Sequence, residues 1–215
     1  EKAEEIYVCS QYIQVYSLEG KYKRTLKIDC FDHDMKIIDY NDESLLIYDD
    51  VVIEPGREKQ TVQTPYRFVS KKDGSTLSTL NLHFPRRNSN AVARQEENGW
   101  YPFQFYYPHN MHYGSDIMIM DLSCDTLYQL SANKKLTPIF ARKPSVYASE
   151  PKNVWTPLLT TDKFMLFGTF ILDFNTTGKK GIEFMYDFKT GQVKKVSIID
   201  HELNYGIRGP REWDS

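Results

Sequence analysis

Hydrophobic and polar residues alternate along most of this chain with a period of two, in short runs broken by turn residues. In YIQVYSL (12–18), Ile13, Val15 and Ser17 fall on one face, and Tyr12, Gln14 and Tyr16 on the other. That is the pattern of a half-buried β-strand. DIMIMDL (116–122) and FMLFGTFIL (164–172) are instead apolar throughout, as expected of strands covered on both faces. Turn signals separate the runs: Gly20 in SLEGKY, Gly74 in SKKDGST, Asn133 in SANKKL and Gly191 in FKTGQV. Their intervals are 54, 59 and 58 residues. One β-hairpin therefore recurs about every 57 residues. A period of that size predicts an all-β array of similar units, with a β-propeller as the leading candidate.

Four units follow from the pattern. The first holds EIYVCS (5–10), YIQVYSL (12–18) and YKRTLKI (22–28). The second holds MKIIDY (35–40), SLLIYDD (44–50), YRFVSKK (66–72) and STLSTLNLHF (75–84). The third holds YPFQFYY (101–107), DIMIMDL (116–122), DTLYQL (125–130) and KLTPIFAR (135–142). The fourth holds VWTPLL (154–159), FMLFGTFIL (164–172), GIEFMYDF (181–188) and QVKKVSII (192–199). Lysines in YKRTLKI and QVKKVSII suit an exposed outer edge that must resist pairing with other chains. The first unit lacks an innermost strand, and the tail HELNYGIRGPREWDS (201–215) is a candidate to supply it and close the ring. The competing expectation is that the four blades belong to a larger ring, since propellers run from four to eight blades.

Helical signals are weak. AVARQEEN (91–98) is expected to make a turn or two before Gly99. Long loops fall at 50–64, 85–100 and 143–153, and the hairpin rhythm continues across each of them. The expectation is one β-propeller domain over 1–215, incomplete at one or both ends.

Composition narrows the class further. A chain of 215 residues and net charge −2 is long enough to bury roughly 70% of its unfolded surface without a metal or disulfide staple. Fifteen tyrosines and twelve phenylalanines favour strands. The charge argues against a broad nucleic-acid footprint. The longest apolar stretch, 164–172, is far short of the ~20 residues that a membrane-spanning helix needs. Cys9, Cys30 and Cys124 make no framework. Cys9 and Cys30 flank the first hairpin and could pair; the alternative is three small buried hydrophobes. The start at Glu1, without Met or a signal peptide, is read as a processed or engineered boundary.

Several phrases resemble the six-bladed β-propeller proteins of Bacteroidetes, the TolB-like or NHL-like lipoproteins of the cell envelope. They are IQVYSLEGKYKRTLKI (13–28), FVSKKDGSTLSTLNLHFPRR (68–87), DTLYQLSANKKLTPIFAR (125–142) and FMYDFKTGQVKKV (184–196). The resemblance implies six blades where this chain shows four, an envelope location in the periplasm or at the cell surface, and a lipid anchor outside this chain. It carries no catalytic residues over.

Candidate chemistry lies between the units. His109 and His112 form HNMH and could share a metal with Asp116 or a distant His, although Pro108 places them at a strand end. Asp32, His33 and Asp34 could act as acid, base or ligand, or simply form a solvated turn. Arg86 and Arg87 could grip a carboxylate or sulfate. Trp100 and Trp155 could stack on a sugar ring or pack between blades. Asn175, Thr176 and Thr177 match a glycosylation acceptor, which has meaning only in a eukaryotic secretory pathway. No phosphate loop, GxSxG elbow, HExxH, CxxC or EF-hand sequence occurs.

The leading functional expectation is a non-enzymatic envelope module that binds a glycan, a peptide or a partner protein, with no cofactor. Its inter-unit loops would form the channel face, through His33, Arg86, Arg87, Trp100, Arg142, Trp155, His201 and Arg208. The alternative is a propeller lactonase, lyase or glycosidase with an axial metal or acid–base site. A third expectation is an open array that pairs its edges with another chain.

Overall fold

The structure, a computed structural model, describes residues 4–28, 35–50, 64–84, 86–105, 110–148, 150–176 and 181–197. It is an all-β, propeller-like series of small antiparallel meanders in chain order. Among the described residues no helix is long and apolar enough to cross a membrane. The chain divides into two compact units, Glu1–Ser89 and Asn90–Ser215.

The first unit holds two blades. Blade 1 has three strands, β1 (Glu5–Cys9), β2 (Ile13–Ser17) and β3 (Tyr22–Leu26). Blade 2 has four, β4 (Met35–Asp39), β5 (Ser44–Asp49), β6 (Tyr66–Ser70) and β7 (Thr76–Thr79). Alternation does what the sequence pattern requires. Ile13, Val15, Leu26 and Ile28 of blade 1 pack on Leu45, Ile47 and Val69 of blade 2 in one aliphatic core. Strand β5 is buried along its whole length, as a strand covered on both faces must be.

The second unit holds a hairpin and two blades. The hairpin is β8 (Ala91–Glu96) paired with β9 (Gly99–Gln104). Blade 3 is β10 (Asn110–Tyr113), β11 (Asp116–Ile119), β12 (Thr126–Leu130) and β13 (Leu136–Ala141). Blade 4 is β14 (Asn153–Thr160), β15 (Phe164–Ile171), β16 (Glu183–Asp187) and β17 (Val193–Val196). Met118, Met120 and Leu127 of blade 3 meet Trp155, Met165 and Phe167 of blade 4. The β8–β9 hairpin corrects two expectations. Residues 91–98 are strand and turn rather than helix, and 99–104 pair with β8 instead of opening blade 3. The reason is partnership: β8 places Val92 and Arg94 opposite Phe103 and Tyr101, and these cross-strand pairs outweigh a weak helical preference.

The recurring turn is real and has one hydrogen-bonding scheme. Each time, a residue at the end of one strand, or just past it at Ser131, gives its N–H across the turn and takes an N–H back on its carbonyl. Ser17 bonds Lys21 and Gly20, Ser70 bonds Ser75 and Gly74, Ser131 bonds Lys135 and Lys134, and Asp187 bonds Gln192 and Gly191. The residue returning the bond is left-handed in all four, with φ from 63° to 80°. In the third turn that residue is Lys134, not Asn133. The Asn133 side chain instead accepts the Lys135 N–H at 3.2 Å and holds the turn from inside.

The same turn aligns the blades. β3, β7, β13 and β17 follow it, so β1 matches β5, β11 and β15. Those three each have an antiparallel strand on their far edge, β4, β10 and β14. Among the described residues, β1 has none.

Candidate functional site

The most developed polar site lies in the first unit, where the ends of blades 1 and 2 leave a cleft of about 820 Å³. Its floor is built on a carboxylate placed where a strand normally puts a hydrophobe. Alternation in β1 sets Glu5 and Tyr7 on the face that Ile13 and Val15 share with blade 2. The Glu5 side chain is only 7% exposed. A carboxylate that buried needs partners, and it has several. Arg24 gives it a two-pronged pair of hydrogen bonds at 2.8 and 2.7 Å. Tyr7 donates its hydroxyl at 2.8 Å, and Lys23 also pairs with it.

Arg24 also reaches across to blade 2. Its Nε and Nη2 donate to the Lys71 carbonyl at 2.9 and 2.7 Å. The Lys71 ammonium lies 5.8 Å from the centre of the Tyr7 ring and bonds Asp39 at 2.6 Å. Glu5, Arg24 and the Lys71 carbonyl thus form a charge-assisted clasp between the two blades, anchored by an ion pair within blade 1. Its effect on titration is strong. The Arg24 hydrogen bonds, helped by those from Lys23 and Tyr7, hold the Glu5 carboxyl far below the usual carboxylate range against the opposing effect of burial. Burial and the bond to Glu5 push the Tyr7 hydroxyl well above its ordinary value.

Beside the clasp, a second set of charges lines the cleft without partners among the described residues. Asn41 Oδ1 accepts the N–H groups of Glu43 and Ser44 and the Ser44 hydroxyl, at 3.1, 2.8 and 2.8 Å. The Glu43 carbonyl accepts the Lys71 N–H at 2.9 Å. This fixes the β4–β5 turn and presents Asp42 and Glu43 to the cleft, with Glu4 on its blade 1 side. Five acidic and three basic side chains line the cleft. The clasp occupies Glu5 and Asp39 on one side and Arg24 and Lys71 on the other. Glu4, Asp42 and Glu43 remain against Lys72, so the unpaired lining is negative.

The residues expected to form a channel face are placed as follows. His33, His201 and Arg208 lie outside the described residues, as do His109, Asp32, Asp34 and Cys30. His112 is on β10. Arg87 is buried, not solvated: it donates to the Asp49 carbonyl at 2.7 Å and the Tyr48 hydroxyl at 3.0 Å, fixing the end of β5. Trp155 is 4% exposed, with the rings of Phe140 and Phe167 at 5.2 and 5.6 Å. It is a core residue between blades 3 and 4. Arg142 bonds the carbonyls of Pro144 and Asn153, two positions from Trp155 on β14. Arg86 is exposed, and Trp100 is 47% exposed on the β8–β9 hairpin.

Cys9 is a free, exposed thiol, which corrects the expectation of a buried or bridged one. Cys124 is buried, and burial pushes its thiol pKa up to about 11. Among the described residues no group of three His, Cys, Asp or Glu side chains is arranged to hold a metal.

The fold therefore defines an all-β, propeller-like protein with a charged inter-blade cleft. No protein-family model and no curated protein matches the chain. Among solved structures it is similar to a Bacteroides fragilis protein thought to be exported, with 10% identity and a TM-score of 0.32, covering 88% of this chain and 69% of that one. It is also similar to virginiamycin B lyase from Staphylococcus aureus, with 9% identity and a TM-score of 0.37, covering 95% of this chain and 70% of that one. At such identity and TM-score neither likeness bears on what the chain does.

Proposed function

We propose that the chain is a non-enzymatic binding module of the cell envelope, and that its first-unit cleft holds a cationic group of a peptide or protein partner. The observation that carries this reading is the negative lining outside the clasp: among the described residues, Glu4, Asp42 and Glu43 stand around a preformed cleft with Lys72 as the single basic side chain that the clasp does not occupy. A lysine or arginine side chain would give these carboxylates charge-assisted hydrogen bonds, which a neutral sugar ring would supply more weakly. The clasp beneath them is already formed, so little ordering is needed on binding. The envelope location rests on the resemblance of the blade phrases.

Thermal unfolding with oligolysine and oligoglutamate of equal length, at low ionic strength, tests it. The midpoint is expected to rise with oligolysine, by several degrees near saturation. The rise should vanish in the Asp42→Asn/Glu43→Gln double variant. An equal rise with oligoglutamate, or one unchanged in the variant, rejects the reading.

A further inference from the structure

We infer that the open edge of β1, together with the adjoining cleft, takes an extended peptide as an added β-strand, antiparallel to β1 and basic at its C-terminal end. The inference rests on the cleft reading above and extends it to the backbone. Three observations converge on β1. The first is the repeat: the strands equivalent to β1 in the other three blades each have an antiparallel neighbour on the edge that β1 leaves open among the described residues. An open edge is a row of N–H and C=O groups spaced to pair with a further strand.

The second is the way the chain treats its other edges. Sheet edges are normally blunted by charge or proline. Of the outer strands, β3 carries Lys23 and Arg24, β13 carries Pro138, and β17 carries Lys194 and Lys195, whereas β7 (TLST) carries neither charge nor proline. β1 reads EIYVC and has no such residue after Glu5. Instead Ile6 and Val8 are 41% and 43% exposed on one face. Among the described residues, β1 is thus an edge with neither a partner strand nor a blunting residue after Glu5.

The third is charge. Antiparallel pairing would run the added strand from Cys9 toward Glu5, so its C-terminal end would arrive at the cleft beside Glu4 and Glu5. Glu5 is saturated by its clasp, whereas Glu4, Asp42 and Glu43 are unpaired among the described residues and complement a basic residue arriving there. Alternate side chains of the added strand would cover Ile6 and Val8.

Fluorescence anisotropy on the full chain tests this with a labelled peptide of alternating threonine and valine ending in lysines. Two further peptides carry the same sequence with the backbone N-methylated at every second residue, one in each phase. A fourth ends in glutamates. The lysine-ended peptide is expected to bind. One methylation phase should abolish binding and the other spare it, because only alternate N–H groups of a strand face its neighbour. The glutamate-ended peptide should bind about tenfold more weakly, and this preference should disappear in Asp42→Asn/Glu43→Gln. If both methylated peptides bind like the parent and the lysine preference persists, the strand inference fails while the cleft reading stands. If the lysine preference is absent but one methylation phase still abolishes binding, the cleft reading fails. No binding by any peptide, as when residues 201–215 or a second copy of the chain fill the edge, overturns the inference.

Discussion

The two blade-to-blade joints, one in each unit, use the same meander and the same turn but opposite chemistry. Between blades 3 and 4 the joint is aromatic: Phe140, Trp155, Phe167, Phe184 and Tyr186 meet with ring centres 4.7 to 5.7 Å apart. Between blades 1 and 2 an aliphatic core fills the middle, and the end is fastened by the Glu5–Arg24–Lys71 clasp. Large rings join by area and close the space between sheets. A clasp of charge-assisted hydrogen bonds to one backbone carbonyl joins at a few points and leaves room beside it, where the cleft opens. A repeat thus fixes where strands lie, while the residues at each joint decide whether it becomes core or site.

The largest expected effect falls on the aromatic joint. Trp155→Ala should cost about 4 kcal/mol, from lost burial and the cavity left behind. Trp155→Phe should cost less than half of that, since it keeps a ring and removes an indole N–H that has no partner among the described residues. Chemical denaturation of both variants checks the order. Similar costs for the two would mean that ring packing does not dominate this joint.

Next comes a contrast between equivalent turns. A Cβ at Gly74 would lie 3.0 to 3.1 Å from Ile28, Leu26 and the Lys27 backbone across the joint of blades 1 and 2. At Gly20 it would meet nothing within 4 Å. Both glycines have left-handed φ, near 80°. Gly20→Ala should therefore cost about 1 kcal/mol, from backbone strain alone. Gly74→Ala should cost about 3 kcal/mol, since overpacking adds to that strain. Equal costs would show that the two blades are not held closely at that turn.

Arg24→Met keeps much of the side-chain volume and removes the clasp. About 2 kcal/mol is expected, discounted because the Arg24 side chain is 28% exposed. Glu5→Gln should show its effect in pH dependence. The folded carboxyl is held below its unfolded value near 4.3, so its contribution is full above that value. It is lost as pH falls toward the folded pKa. The gap in midpoint between wild type and Glu5→Gln should thus be constant from about pH 8 to pH 5 and narrow below about pH 4. The gap for Trp155→Ala should not change over that range. The smallest effect concerns reactivity rather than stability: at neutral pH, iodoacetamide should label Cys9 well before Cys124, whose thiol is buried and raised to about 11.

Much of the architecture is legible in the sequence because turns and alternation are local signals. Gly20, Gly74 and Gly191 mark three of the four turns directly, and the runs around them become the expected strands. The fourth turn shows the limit: Asn133 is visible as a turn residue, but which neighbour becomes left-handed depends on its side-chain bonds. Residues 91–104 were misleading because a hairpin paired across Val92–Phe103 has no local sign that distinguishes it from a weak helix. The site was less legible. Arg87 looks like a solvated loop residue in sequence, yet it satisfies a strand-end carbonyl, and the two readings of Trp155, sugar stacking or packing between blades, are told apart only by the joint that it fills. Glu5 and Arg24 are 19 residues apart on strands separated by β2, and no motif links them. A signal for Glu5 does exist in EIYVC, where a carboxylate occupies the face that Tyr7 directs toward the core.

Hydrogen–deuterium exchange on the full chain, with and without the lysine-ended peptide, is the most direct test of the central claim. Slowed exchange is expected at alternate amides of Glu5–Cys9, together with protection of the 41–44 turn. Protection confined to the exposed Trp100 hairpin, or none in the first unit while the peptide is bound, would contradict it.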